Sequence, residues 1–248
     1  CPAPSTLDRR IATWRALHRM RDLPSPFDAP LVKQARAKAR EAAARAPTPK
    51  SQNPVTRDVL RQLLDACGPG LRGLRDRAIL LLGWGSGGRR RSEIVSFNVE
   101  DLDLSEFEAR GVVWLRLLAS KTTAKGKTPR LVLKGTAARA VVAWLDATGL
   151  TSGPLFRKIT AQETLFNRRL TADGVAQIMR RLLKGAGLPE GFATPHGLRS
   201  GFLTQAALDG APLQAAMRLS LHKSAAQAQK YYADVDIAEN PAANLVDL

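Results

Sequence analysis

Hydrophobic residues recur along most of this chain at the three- and four-residue spacing that is typical of amphipathic helices. In the first such segment, apolar side chains within residues 7–17 share one face, and Ser5 or Thr6 is placed to cap the helix. A second helix, rich in alanine, lysine and arginine, is predicted over about residues 30–45. Further helices are predicted over residues 56–67, 71–84, 92–97, 135–147, 171–186, 196–209, 212–221 and 224–232.

Two runs of apolar and β-branched residues interrupt this helical pattern, over residues 111–120 and 128–134. The segment between them contains lysine, threonine and glycine, so the two runs are predicted to form an antiparallel hairpin. No repeat at a fixed period is visible. The predicted fold class is therefore mainly α with a small antiparallel β-sheet, an α+β arrangement.

Proline placement divides the chain into parts. Residues 47–54 contain three prolines and are predicted to be an interdomain linker. The two basic helices before it cannot enclose much core, so residues 1–46 are predicted to be the end of a truncated domain. Residues 55–232 form the main domain, and residues 233–248 form a tail with four acidic residues and no basic one.

The charge of the chain favours a polyanionic partner. Among 248 residues, 38 are lysine or arginine and 22 are aspartate or glutamate, which gives a formal charge of +16 and a pI near 10.8. Such a balance is typical of proteins that bind nucleic acid. An acidic tail would be repelled by DNA and is expected to contact protein instead.

Other function classes are disfavoured by what the sequence contains. No apolar stretch approaches the roughly 18 residues of a membrane span. Two cysteines fit a reducing cytosol, and neither a P-loop nor a spaced set of metal ligands is visible, so no metal or other cofactor is predicted. No secretion leader is visible either, and a cytoplasmic protein is expected. The glycines of residues 83–88 match a dinucleotide-binding pattern, but a hairpin follows them rather than a parallel crossover.

The first candidate site is the segment Gly88-Arg-Arg-Arg-Ser-Glu93. A solvated charge run is the ordinary interpretation of three adjacent arginines. The planar guanidinium is nevertheless suited to two-pronged contact with phosphate oxygens. Glu93 lies three residues beyond Arg90, on the same helical face, and is placed to hold that guanidinium.

Three further segments carry candidate chemistry. His196 and Arg199 share one face at the start of a helix, where an anion is favoured. His222 is followed nine residues later by the only two tyrosines, Tyr231 and Tyr232, and a tyrosine hydroxyl can act as a nucleophile. The turn of the hairpin adds four cations, which suit phosphate contacts or proton delivery to a leaving oxygen: Lys121, Lys125, Lys127 and Arg130.

The order of these segments resembles the tyrosine recombinases, the phage integrase family, over about residues 54–235. The resemblance implies the tyrosine recombinase catalytic fold, with Arg90 and Arg199 as the phosphate-clamping arginines and Tyr231 as the nucleophile. It further implies that Lys121 is the hairpin lysine, His196 the histidine of the second motif and His222 the third-position histidine. Additional DNA contacts are expected from Arg89, Arg91, Lys125, Lys127 and Arg130.

Some positions depart from the family pattern or leave alternatives open. The family usually has Leu-Gly-His where this chain has Ser220-Leu221-His222. Three adjacent arginines compete for the first clamping role, and Arg90 alone has the family spacing to both Ser92 and Glu93. Lys125 and Lys127 are alternatives to Lys121, and Tyr232 is the alternative to Tyr231.

The resemblance implies a site-specific recombinase that cleaves and rejoins DNA through a 3′-phosphotyrosyl link, without metal or ATP. Residues 1–46 would then be the last helices of a core-binding domain, and the tail would dock on a neighbouring protomer. The implied partners are double-stranded DNA, further copies in a tetramer and accessory DNA-bending proteins, in the cytoplasm at the nucleoid. The alternatives are a non-catalytic DNA-binding protein on the same fold, a type IB topoisomerase-like enzyme and a basic RNA-binding helical protein.

Overall fold

A computed structural model of the protein describes residues 4–42, 50–118 and 128–233. The chain divides into two compact units, Cys1–Pro49 and Lys50–Leu248. The division falls within the proline-rich segment that the sequence analysis assigned to the linker.

The first unit contains two helices, α1 (Pro4–Met20) and α2 (Pro30–Ala42), as the periodicity predicted. The described part of α1 is already helical at Pro4, ahead of Ser5 and Thr6, so the predicted cap at those residues is wrong. The carboxylate of Asp8 on α1 accepts two hydrogen bonds from Arg36 and two from Arg40, at 2.7–3.0 Å. Ile11 is the one buried hydrophobic residue in the described part of this unit, so the two helices share little apolar core. The charge-assisted hydrogen bonds of Asp8 join them instead.

The second unit is mostly helical, and its helices agree with the predicted periodicity. Its helices are α3 (Arg57–Asp65), α4 (Leu71–Gly85), α5 (Arg91–Ser96), α6 (Phe107–Arg110), α7 (Thr136–Thr148), α8 (Ala172–Gly185), α9 (Gly197–Leu208), α10 (Leu213–Ser220) and α11 (Ala225–Ala233). Of these, only the four-residue α6 has no counterpart among the predicted helices.

The predicted hairpin is present as strands β2 (Val112–Arg116) and β3 (Arg130–Lys134). Val113 pairs with Leu133 and Leu115 with Leu131, and these four side chains are buried on one face. A short strand β1 (Leu102–Asp103) adds to β2, and a second sheet pairs β4 (Arg157–Ile159) with β5 (Leu165–Arg169). The expectation of a single sheet is wrong because β4 and β5 are short, largely exposed and rich in arginine, and so lack the apolar alternation that predicts strands.

Helix α4 lies at the centre of the hydrophobic core. Residues 78–82 are all buried, because α4 packs against both α7 and α9. Trp144 on α7 is fully buried and donates its indole N–H to the carbonyl of Leu155 at 2.8 Å, so its polar atom remains satisfied. The end of this rigid helix carries the glycine-rich turn that precedes Arg90.

Residues 50–54 belong to the second unit rather than to a linker, which corrects the predicted boundary at residue 55. The backbone N–H groups of Asn53 and Val55 donate to the carbonyls of Phe192 and Gly197 at 3.0 and 2.9 Å. Thr194 donates its hydroxyl to the Lys50 carbonyl at 2.8 Å. These bonds attach the segment to the turn that begins α9.

Because Val55, which follows this segment directly, is fully buried, shortening its side chain tests the assignment of this part of the chain as packed structure. Val55→Ala is expected to lower the free energy of unfolding by about 2 kcal/mol, the transfer and cavity cost of two methyl groups. Chemical denaturation of the full chain measures the change. A loss below about 0.5 kcal/mol, typical of exposed positions, would contradict the assignment.

Candidate active site

Arg90 and Glu93 form a closed pair at the start of α5. Arg90 precedes the helix in an extended conformation, and its backbone N–H donates to Glu93 Oε2 at 3.1 Å. Its guanidinium donates Nη1 to the other carboxylate oxygen, Oε1, at 2.6 Å. Glu93 is only 3% exposed, so one buried carboxylate both caps the helix and orients the arginine. The pairing predicted from their spacing is confirmed.

Arg199 lies on the first turn of α9 and is almost fully buried. It donates Nη1 to the Gly88 carbonyl at 3.1 Å and Nε to His222 Nε2 at 3.2 Å. Burial, followed by the nearby charge of Arg90, lowers the pKa of Arg199 to about 10. The side chain therefore stays cationic at neutral pH, in a position held by residues far away in sequence.

The close approach of the two arginine-bearing segments depends on Gly88. Its backbone has φ +72°, a left-handed conformation that glycine adopts at low cost. A Cβ atom at this position would lie 2.4 Å from Arg199 Cα. Glycine thus lets the turn after α4 contact the start of α9, which brings Arg90 and Arg199 to one cleft.

Both predicted histidines are biased toward their neutral forms. Burial, then the charges of Lys50 and Arg199, lower the pKa of His196 below its ordinary value. Burial, then Arg199 and Arg90, lower the pKa of His222 to about 4. A neutral imidazole can accept a proton or a hydrogen bond, which an imidazolium cannot do.

The two tyrosines on α11 have different surroundings. The ring of Tyr231 lies 6.4 Å from the ring of His222, measured between centroids. Tyr232 donates its hydroxyl to the Ala211 carbonyl at 3.0 Å, and burial raises the pKa of Tyr232. A hydroxyl that is bonded to the backbone and harder to ionise is the poorer candidate for chemistry, so the geometry favours Tyr231.

An open cleft of about 420 Å³ lies between the start of α5 and the start of α9. Its lining residues are Lys50, Arg89, Arg90, Arg91, Ser92, Thr194, Pro195, His196 and Arg199. Lys50 is a site residue that the sequence analysis missed, because it lies in the stretch assigned to the linker. In the sequence, Lys50 is distinguished only by lying a few residues before the helix predicted from residue 56. That position does not indicate that the fold brings Lys50 to Thr194.

Arg89 is not a surface contact for DNA, which corrects that expectation. Its side chain is fully buried, and its Nη2 donates to the carbonyls of Leu219 and Gly87 at 2.6 and 3.2 Å. Burial lowers the pKa of Arg89 to about 10. This arginine borders the cleft, but it is fully buried and binds the end of α10 from inside the protein.

The other predicted contacts are exposed or outside the described residues. Arg91 is half exposed and forms an ion pair with Asp173 at 2.9 Å. Arg130 pairs with Asp103 at 3.1 Å and lies 4.3 Å from the centre of the Trp114 ring. The three hairpin lysines lie outside the described residues: Lys121, Lys125 and Lys127.

Neither a metal cluster nor a membrane span is found in residues 4–42, 50–118 and 128–233. These ranges contain no group of three or more His, Cys, Asp or Glu side chains placed to hold a metal ion. None of their helices is long and apolar enough to cross a membrane. The charged side chains that line the cleft are all cations: Lys50, Arg89, Arg90, Arg91 and Arg199.

Comparison with known proteins gives consistent matches. The family model of the phage integrase family matches residues 53–238. An integrase/recombinase xerD homolog of Selenomonas ruminantium is 33% identical over 202 residues, which cover 79% of this chain and 58% of that protein. A tyrosine recombinase XerC of Syntrophus aciditrophicus is 37% identical over 168 residues, covering 65% and 49%. The chain thus spans about half the length of the curated relatives it matches.

Solved structures show the same fold. The crystal structure of XerA recombinase matches with a TM-score of 0.58 at 19% identity, over 92% of this chain and 78% of that one. The Tn1549 transposon integrase, solved in complex with transposon right end DNA, matches with a TM-score of 0.63 at 19% identity, over 97% and 78%. The predicted class, mainly α with antiparallel β-structure on the tyrosine recombinase catalytic fold, is confirmed, with two small sheets in place of the one predicted.

Leu221 adopts φ +54°, a left-handed conformation that favours glycine, at the position where the resemblance places one. Replacement by alanine or by glycine loses the packing of the leucine side chain in both cases. Only glycine also removes the conformational strain of a left-handed backbone. We expect Leu221→Gly to be more stable than Leu221→Ala by about 1 kcal/mol, the reverse of the order inside helices. Urea unfolding of the two variants measures the difference, and a more stable alanine variant would show that the backbone is not left-handed here.

The lowered pKa of His222 predicts a loss of stability on acidification. Between the unfolded value of 6.5 and the folded value of about 4, the unfolded chain binds more protons, so the free energy of unfolding falls as the pH falls. Replacing the imidazole by an amide removes this proton-linked difference. Between about pH 7 and pH 5, His222→Gln should lose less stability than the original chain, measured by denaturant unfolding at each pH. Equal losses would contradict a neutral, half-buried His222.

Proposed function

Because this chain belongs to the phage integrase family, we propose that it is a site-specific DNA recombinase that cleaves and rejoins strands through a 3′-phosphotyrosyl intermediate. The observation that supports this most strongly is that Arg90, His196 and Arg199 line one basic cleft, while His222 contacts Arg199 and lies beside Tyr231. These residues lie in three segments, at Arg90, His196–Arg199 and His222–Tyr231, that are more than 20 positions apart, so local sequence alone does not bring them together.

In the proposed reaction, the Tyr231 phenolic oxygen attacks a phosphodiester phosphorus. A bond from tyrosine oxygen to phosphorus forms, the bond from phosphorus to the 5′-oxygen breaks, and a free 5′-hydroxyl leaves. Neutral His196 takes the phenolic proton, and Lys121 supplies a proton to the departing oxygen. The reverse attack by another strand's 5′-hydroxyl restores the phosphodiester, so the exchange requires no ATP.

Charge stabilisation in this scheme comes from the protein's own cations. Arg90 and Arg199 are held in place by Glu93, Gly88 and His222 before the substrate arrives. Preorganised donors of this kind stabilise negative charge that grows on the non-bridging phosphate oxygens, the role metals have in other phosphoryl-transfer enzymes. His222 accepts a hydrogen bond from Arg199 and so helps to hold that guanidinium at the same phosphate.

The exposed cations supply affinity for the duplex in this proposal. Lys50 and Arg91 line the cleft, and Arg130 lies on the sheet at one end of the hairpin turn that carries Lys125 and Lys127. Contacts of this kind are mostly independent of sequence and weaken steeply with added salt. The similar Tn1549 integrase was solved on transposon DNA, which supports double-stranded DNA as the partner here.

We extend the proposal to the organisation of the complex. Residues 1–46 form the last helices of a core-binding domain that precedes the catalytic unit, and the tail of residues 233–248, described only at residue 233, docks on a neighbouring protomer. Four copies act together on paired DNA sites, with accessory DNA-bending proteins, at the nucleoid in the cytoplasm.

Covalent trapping on nicked duplexes tests the assignment of the nucleophile. The nick releases a short product strand, so the protein remains linked to DNA and migrates slowly in a denaturing gel. A library of duplexes first identifies a site that the original chain cleaves. Tyr231→Phe should then bind this duplex normally and form no adduct, because it lacks the attacking oxygen.

Tyr232→Phe is the matched control, since its hydroxyl contacts the Ala211 backbone. It should retain adduct formation within a few-fold. Adduct in the Tyr231 variant and none in the Tyr232 variant would reassign the nucleophile. DNA binding without any adduct in the original chain, across the whole library, would favour a non-catalytic DNA-binding protein.

A further inference from the structure

The two ring nitrogens of His222 have different neighbours. Nε2 lies 3.2 Å from Arg199 Nε. Nδ1 lies 2.8 Å from the hydroxyl oxygen of Ser220 and 3.1 Å from Arg199 Nη2. Ser220 is fully buried at the end of α10, and its hydroxyl also lies 3.5 Å from the Met217 carbonyl. His222 is therefore enclosed by one arginine and one serine.

Hydrogen-bond chemistry distinguishes the two neutral tautomers of this ring. A guanidinium only donates, whereas a neutral imidazole has one N–H and one accepting lone pair. With the proton on Nδ1, Nε2 accepts from Arg199 Nε, Nδ1 donates to Ser220, and the serine proton faces the Met217 carbonyl. These groups then make three hydrogen bonds, while Arg199 Nη2, 3.1 Å from the protonated Nδ1, faces another donor.

The opposite tautomer satisfies fewer groups. A proton on Nε2 would face the single N–H of Arg199 Nε at 3.2 Å, donor against donor. The one lone pair of Nδ1 would have to accept from both Ser220 and Arg199 Nη2. Because Arg199 and Ser220 are buried and His222 is partly buried, an unmade bond here would not be replaced fully by water.

We propose that Ser220 is a positioning residue that holds His222 in the Nδ1–H tautomer, with Nε2 free to orient the guanidinium of Arg199. A leucine, which the resemblance places at this position, has no oxygen to accept from Nδ1. The serine is thus a feature of this chain's own site. Its consequence for catalysis rests on the proposed function, whereas the tautomer itself is a property of the free protein.

Nitrogen-15 NMR of the imidazole side chains in the full chain tests the tautomer directly. His18, His196 and His222 are the three histidines, and the signals lost in His222→Gln identify those of His222. At neutral pH, Nδ1 of His222 is expected to show the shift of a protonated nitrogen and Nε2 that of an unprotonated one. A protonated Nε2 in the original chain would overturn the proposal without any variant.

Ser220→Ala removes the accepting oxygen and should shift His222 toward a mixture of tautomers. Ser86→Ala is the matched control, because Ser86 is also fully buried and its hydroxyl donates to the Leu82 carbonyl at 2.7 Å. The control should lose a similar amount of stability and leave the His222 signals unchanged. Identical His222 signals in the original chain and in Ser220→Ala would overturn the proposal.

The covalent-trapping assay measures the catalytic consequence. Ser220→Ala is expected to form adduct roughly threefold to tenfold more slowly, the effect of one neutral hydrogen bond, with unchanged DNA affinity. Ser86→Ala should stay within about twofold of the original rate. An unchanged rate in Ser220→Ala would overturn the positioning role. If the original chain forms no adduct but Nδ1 is protonated, the recombinase proposal fails and the tautomer assignment stands.

Discussion

The buried carboxylate of Glu93 is the interaction on which the site depends. Three guanidinium groups lie around it: Arg90 at 2.6 Å, Arg89 at 3.9 Å, and Arg199, whose charged form it favours against burial. Without this anion, the three cations would repel one another in a poorly solvated region, and the cost of an unpaired buried charge is large. The same carboxylate caps α5, so the electrostatic and the backbone roles are carried by one side chain.

A second constraint joins two parts of the chain that are more than 100 residues apart. The turn after α4 contacts α9 and α10 through two bonds of opposite direction: Arg199 donates to the Gly88 carbonyl, and Arg89 donates to the Leu219 carbonyl. Both carbonyls are thereby satisfied inside the protein. Because Gly88 has no Cβ, the backbones approach closely enough for both bonds to form.

Sequence patterns predicted the secondary structure and the contacts most accurately where these have a local physical cause. Helices α3, α4, α7, α8, α9 and α10 each carry an apolar stripe that must face a core, and periodicity identifies them within a few residues. The Arg90–Glu93 pair follows from a three-residue spacing. Strands β4 and β5 were missed because their pairing is stabilised by arginine contacts to distant carbonyls, such as Arg169 to Val95, rather than by an apolar pattern.

The sequence by itself determined the helical architecture, the hairpin, the basic character and the family motifs with their order, since these depend on residue type and short spacing. Only the tertiary structure decided that Arg89 is buried while Arg90 faces the cleft, that Lys50 joins the site, and that Ser220 contacts His222. Adjacent arginines are equivalent in a sequence. Their environments differ because packing directs each side chain toward a separate partner, and burial and neighbouring charge then set its chemistry.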